Sequence, residues 1–148
     1  MKYNELIIHT DGGSRGNPGP AAIGITAKAE DKTLFEISEY IGQQTNNVAE
    51  YTAVIHALHH LNEHPVSADN CSFVLDSELI VRQIVGQYRV KEVHLQTLVA
   101  EVHRLTKELK VKGILKNISF RHVPRAKNKR ADQLVNQALD SQIFSHVP

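Results

Sequence analysis

The segment Gly12-Gly13-Ser14-Arg15-Gly16-Asn17-Pro18-Gly19-Pro20 limits what this chain can fold into more than any other stretch. Glycine loses the most conformational freedom when ordered, and proline lacks the N–H that helices and sheets use. A segment this dense in both is expected to be a loop throughout, stopping the preceding apolar run Leu6-Ile7-Ile8-His9-Thr10 at Asp11. A strand-forming sequence therefore delivers one acidic side chain to the lip of a glycine-rich loop.

Beyond the loop, Ile23, Ile25 and Ala27 alternate with their neighbours as in a strand, and the β-branched and aromatic stretch Thr33 to Ile41 predicts a third strand. Asp31-Lys32 is the expected hairpin turn. From Asn47 the spacing becomes helical, with Val48, Tyr51, Ile55 and Leu58 as an apolar stripe ending before Pro65. A fourth strand, Cys71-Ser72-Phe73-Val74-Leu75, again closes on an acid, Asp76. Ser77 to about Val85 predicts a short helix, and Leu95, Leu98, Val99, Val102, Leu105 and Leu109 mark a longer amphipathic one that Gly113 ends. Ile114 to His122 supplies the fifth strand, and Lys129 to Ser141 the last helix, with Asn128 as its expected cap. The order β-β-β-α-β-α-α-β-α predicts an α/β fold. A strand reached through a helical crossover normally runs parallel to a neighbour, so the Asp76 strand can lie beside the Asp11 strand. Both carboxylates then sit at adjacent carboxyl ends, where open α/β sheets place ligands.

With 148 residues and 41% hydrophobic content, the chain suffices for one domain, expected to span 1–148. Its formal net charge is only +1, so nucleic-acid affinity would have to come from local basic segments such as Arg121 to Arg130. The single Cys71 excludes an intramolecular disulfide and reads as a small core residue. No signal peptide or membrane-length apolar stretch is found, which makes a cytoplasmic protein without membrane contact the expectation.

Four acids stand out: Asp11, Glu50, Asp76 and Asp132. Each has an ordinary local explanation. Asp11-Gly12-Gly13 is a plain turn sequence, and no Gly-Lys-Ser/Thr follows to make it a Walker loop. Asn47-Val48-Ala49-Glu50 resembles a capping box, Asp76-Ser77 an N-cap, and Asp132 a solvated first-turn acid favoured by the helix dipole. The alternative is convergence: several carboxylates together are the usual means of holding Mg²⁺, a hard cation that takes oxygen ligands, for phosphoryl-transfer chemistry. Thr45-Asn46-Asn47 adds more side-chain donors and acceptors than one helix start needs. His56, His59, His60 and His64 suggest zinc by their spacing, yet a solvated helix face accounts for them more simply.

Taken together and in order, Thr10 to Gly19, Thr45-Asn46-Asn47-Val48-Ala49-Glu50, Asp76-Ser77 and His122-Val123-Pro124-Arg125-Ala126-Lys127-Asn128-Lys129-Arg130-Ala131-Asp132 closely resemble the type 1 ribonuclease H family. The resemblance covers nearly the whole chain. It implies a ribonuclease H-like fold: a five-stranded mixed sheet, order 3-2-1-4-5, flanked by helices. It also implies a metal-dependent endoribonuclease that cuts the RNA strand of RNA–DNA hybrids, leaving 3′-hydroxyl and 5′-phosphate ends. Asp11, Glu50, Asp76 and Asp132 match the family's metal-binding carboxylates, which hold two Mg²⁺ ions, or Mn²⁺, around the scissile phosphate. By position, substrate contacts fall on Gly12, Gly13, Ser14, Arg15, Gly16, Asn17, Thr45, Asn46, Asn47 and Glu78. The auxiliary group is implied to be either His122 or Arg125, which lies seven residues before Asp132 as in archaeal-like members. The chain departs from the longer bacterial form between Asp76 and His122. The tryptophan-rich basic protrusion is missing there, and only Arg82, Arg89 and Lys91 offer charge.

A monomer is expected. Two other readings stay open at this point: a non-catalytic nucleic-acid binding module of the same fold, and a nuclease acting on double-stranded RNA.

Overall fold

The computed structural model describes residues 2–145. β1 (Lys2–Ser14), β2 (Gly19–Ala29) and β3 (Lys32–Gln44) form an antiparallel meander. α1 (Asn46–Glu63) then crosses to β4 (Ser67–Leu75), and α2 (Glu78–Ile84) and α3 (Val93–Val111) lead to β5 (Leu115–His122). A short 3₁₀ turn (Arg125–Lys127) precedes α4 (Lys129–Ser145). The sheet order is β3-β2-β1-β4-β5, with β4 parallel to β1 and β5 parallel to β4, as the crossover argument and the resemblance require. β3 and β5 are the two edges.

β1 does not stop at Asp11. It continues through Gly12, Gly13 and Ser14, which pair with Ile23, Ala22 and Ala21, so the loop shrinks to residues 15–18. Paired backbone donors outweigh the entropic cost of ordering two glycines here. The β2–β3 turn also falls one residue early, on Glu30 and Asp31, both with positive φ (53° and 61°). Two consecutive left-handed residues match the right-handed twist of the strands, and that geometry, not polarity, places the turn.

β2 is buried on both faces. Ile23 and Ile25 join the main core, with Leu6, Ile8, Tyr51, Leu58, Phe73 and Leu105. Ala22 instead faces Val135, Ala138 and Leu139 of α4. Alternation along the strand thus serves two helical layers, α1 and α3 in one core and α4 in the other. α1 is buried over a wider arc than its four-residue stripe predicts, because Ala49, Ala53 and Ala57 lie at no exposure beside Tyr51, Val54 and Leu58. Cys71 is buried in the core. No described helix is long and apolar enough to cross a membrane.

Candidate active site

The carboxyl ends of β1 and β4 bring Asp11 and Asp76 together, and α1 adds Glu50 from above. Ligand-competent oxygens of these three lie within 4.8 Å of one another, the one such His/Cys/Asp/Glu group among the described residues. Glu50 is no capping residue: the cap of α1 is Thr45, whose hydroxyl accepts from the Val48 N–H. One Glu50 oxygen accepts from the Gly12 N–H at 3.1 Å. Its second oxygen is buried with no hydrogen-bond partner. A buried carboxylate oxygen without a donor is costly unless a cation or proton meets it, so the donor set fits a divalent metal. Asp132, from α4, lines the same cavity of about 490 Å³ and is held by Arg125, Nη2 to Oδ1 at 3.2 Å.

Burial and mutual repulsion show in the titration of the cluster. Burial raises the Asp11 carboxyl to about 6, the charges of Asp76 and Asp132 reinforce the rise, and contact with Glu50 opposes it. Glu50 is pushed well above the ordinary carboxylate range by burial and then by the Asp11 charge. Burial also raises Asp76, while Arg125 and the Asn128 amide hold it down. For such acids the folded state holds its proton longer than the unfolded chain does. The protonated Asp11 carboxyl confers its full stability below about pH 4, and it is lost as pH rises through about 6, with Glu50 and Asp76 acting in the same direction. In EDTA, the thermal midpoint is therefore expected to fall between pH 5 and 7.5, and Mg²⁺ to raise it more at pH 7.5 than at pH 5. Equal Mg²⁺ shifts at both pH values in a thermal scan would contradict this.

The rest of the cavity comes from the glycine segment and the start of α1: Gly12, Gly13, Ser14, Arg15, Asn46 and Asn47. Asn46 Oδ1 accepts from the Ser14 N–H at 2.9 Å, and Asn17 Oδ1 accepts from the Asn46 N–H at 3.0 Å. Asn17 and Thr45 thus brace the site from outside the cavity, and Gly16 likewise lies outside its lining. Glu78 and His122 line a different cleft, with Arg82 and Phe120, and Glu78 pairs with Arg82 at 3.0 Å. Arg125 thus lines the carboxylate cavity, whereas His122, paired beside Leu75 at the end of β5, lines the neighbouring cleft. The histidines of α1 point elsewhere too, His56 to Glu39 at 3.2 Å and His60 onto the Phe35 ring.

Sequence reasoning missed Ser77, Val135, Asn136 and Leu139 as lining residues. It also misread Asn128. Rather than capping α4 with its side chain, this buried amide donates to the Thr10 carbonyl at 3.0 Å and accepts from His9 Nδ1 at 2.9 Å. Its backbone carbonyl accepts from the Asp132 N–H. One residue thereby ties the strand that carries Asp11 to the helix that carries Asp132.

Comparison with known proteins agrees with this geometry. The sequence profile of RNase H matches residues 3–140. The chain belongs to the RNase H family. Among solved RNase H structures, LC11-RNase H1, isolated from compost, is 46% identical with a TM-score of 0.83, covering 95% of this chain and 99% of that one. RNase H1 from Halobacterium salinarum is 35% identical with a TM-score of 0.83, covering 93% of this chain and 99% of that one. A bifunctional protein of Mycobacterium tuberculosis is 37% identical over 139 residues, which make up 93% of this chain but 36% of that protein. The chain thus spans about a third of the length of its mycobacterial relatives.

Proposed function

We propose that the chain is a divalent-metal-dependent endoribonuclease that hydrolyses the RNA strand of RNA–DNA hybrids, leaving 3′-hydroxyl and 5′-phosphate ends. The observation that carries this reading is the convergence of Asp11, Glu50 and Asp76, with Asp132 in the same cavity and one Glu50 oxygen lacking any donor. LC11-RNase H1, solved in complex with an RNA/DNA hybrid, is 46% identical with a TM-score of 0.84 and supports the choice of substrate. Asp11, Glu50, Asp76 and Asp132 would hold Mg²⁺ ions, which when bound activate water and neutralise charge on the leaving 3′ oxygen.

The chain's own groups do the positioning. The glycine segment lets a sugar-phosphate approach the backbone without side-chain obstruction, and the Asn46 and Asn47 amides offer donors and acceptors to 2′-hydroxyls, the feature that separates RNA from DNA. The Arg125 guanidinium, 79% exposed at the mouth of the cavity, offers several N–H donors to a phosphate entering beside Asp132.

A cleavage panel of hybrid, double-stranded RNA, double-stranded DNA and single-stranded RNA, with and without Mg²⁺, tests the reading. Hybrid alone is expected to be cut, and only with metal. Binding without cleavage would support a non-catalytic module, and preferential cutting of double-stranded RNA would replace the substrate.

Arg125 and His122 give a second test. Arg125→Ala is expected to lower turnover by roughly 10- to 100-fold, and Lys at 125 to restore part of it, since an ammonium keeps the charge without the planar fork. His122→Ala, in the neighbouring cleft, should cost less. A larger turnover defect in His122→Ala would reverse the assignment.

A further inference from the structure

The basic segment from Arg121 to Arg130 contains five cations and no acid: Arg121, Arg125, Lys127, Lys129 and Arg130. The structure distributes them over three clefts in succession. Arg121 lies with Arg82 in the cleft that holds His122, and Arg125 reaches the carboxylate cavity. Lys127, Lys129 and Arg130 meet Lys28 of β2 in a third cleft of about 240 Å³, floored by His9 and Thr26. The carboxylate chemistry uses only the second of these.

The 3₁₀ turn lines both the third cleft and the carboxylate cavity. Arg125 projects to one side of that turn and Lys127, two residues on, to the other. The ridge is fixed from below, because the buried Asn128 amide binds the Thr10 carbonyl and His9. In charge, the cleft sets four cations against Glu36, which takes Arg130 in two contacts of 2.7 and 2.8 Å and also lies near Lys28. Among the described residues, Lys28, Lys127 and Lys129 form no ion pair with a carboxylate. Three unpaired ammonium groups converging on one cleft raise the local potential well above that of a chain whose net charge is +1.

We propose that this cleft takes a backbone phosphate of the RNA strand, adjacent to the phosphate that lies at the carboxylates. A strand crossing the 3₁₀ ridge places neighbouring phosphates on its two sides, one beside Arg125 and one among the lysines. The inference rests on the nuclease reading for the identity of the strand. It adds a grip on the cleaved strand on the α4 side of the site, in a chain without the basic protrusion.

The test compares three proteins, all carrying Asp76→Asn to block cleavage: the parent, Lys28→Gln/Lys127→Gln, and a control, Lys107→Gln/Lys110→Gln, whose lysines line a separate cleft. Binding of a short hybrid is measured from 50 to 300 mM salt. The double variant is expected to bind several-fold more weakly and to lose about 1 from the magnitude of the log–log salt slope, the counterion release of one phosphate contact. The control should match the parent. Methylphosphonate linkages, which neutralise single phosphates, are then stepped along each strand. One such linkage beside the scissile position of the RNA strand is expected to weaken the parent as much as the double substitution does, and to cost the double variant nothing. An unchanged slope in the double variant, equal methylphosphonate costs in both proteins, or coupling on the DNA strand instead would each overturn the proposal. Failure of the unblocked protein to cut hybrid in Mg²⁺ would sink the nuclease reading separately, while the slopes still report on the cleft.

Discussion

Asp11→Asn and Asp76→Asn are each expected to lower hybrid cleavage by about 10³-fold or more, equivalent to about 4 kcal/mol of transition-state stabilisation. The amide keeps the shape of the side chain and removes the charge that would hold metal. Folding moves the other way. Burial lifts the Asp11 carboxyl to about 6 against an ordinary 3.8, so at neutral pH and without metal its charge opposes folding by about 2–3 kcal/mol. Asp11→Asn should therefore raise the midpoint in EDTA by roughly 4–12 °C, at about 2–4 °C per kcal/mol for a chain of this size. Isothermal titration with Mn²⁺ should show the lost affinity directly. A variant with near-native turnover, or one that melts well below the parent, would remove Asp11 from the metal-binding set.

Gly12→Ala and Gly24→Ala carry the second large effect, on stability. A Cβ at Gly12 would sit 2.1 Å from the Ala49 carbonyl oxygen, and one at Gly24 the same distance from that of Ala131. Both obstacles are helix backbone, one residue before Glu50 and one before Asp132, so the helix itself must retreat. Overpacking of this kind costs typically 1–3 kcal/mol, and rigid backbone on both sides puts about 3 kcal/mol or more here. Gly13→Ala is the control, because its Cβ would meet only Val135 Cγ1 at 3.7 Å. Denaturant unfolding should show both tight variants strongly destabilised and Gly13→Ala nearly neutral. Mild effects at Gly12 and Gly24 would mean that α1 and α4 are not pressed against the sheet as described.

Much of this was legible in the sequence, and the failures have physical causes. The strand order was readable because a helical crossover forces β4 parallel to its neighbour, and the resemblance supplied the remainder. Glu50 was the least decidable of the four acids locally, since a helix start followed by Glu looks the same whether the side chain folds back on the cap or reaches the Gly12 N–H. Only the 38-residue separation closed by that contact settles it. Asn128 was misread for a similar reason: its partners, His9 and Thr10, lie 119 and 118 residues away. Glu78 and His122 follow from position in the family motif, and both line the cleft that neighbours the carboxylate cavity. The continuation of β1 through Gly12 and Gly13 was hidden because composition reports entropy and not the pairing partners that β2 provides.

The two outer strands of the sheet bear on behaviour at high concentration. β3 is 13 residues long and β5 is 8, and each presents a row of unpaired backbone groups to any strand that drifts alongside. Lys32, Glu36 and Glu39 punctuate one edge, and Lys116 and Arg121 the other, with most of β5 exposed. Edge-to-edge pairing with a second copy would force these ammonium, guanidinium and carboxylate groups to shed water, so the same strands that complete the sheet also discourage it from growing into an aggregate.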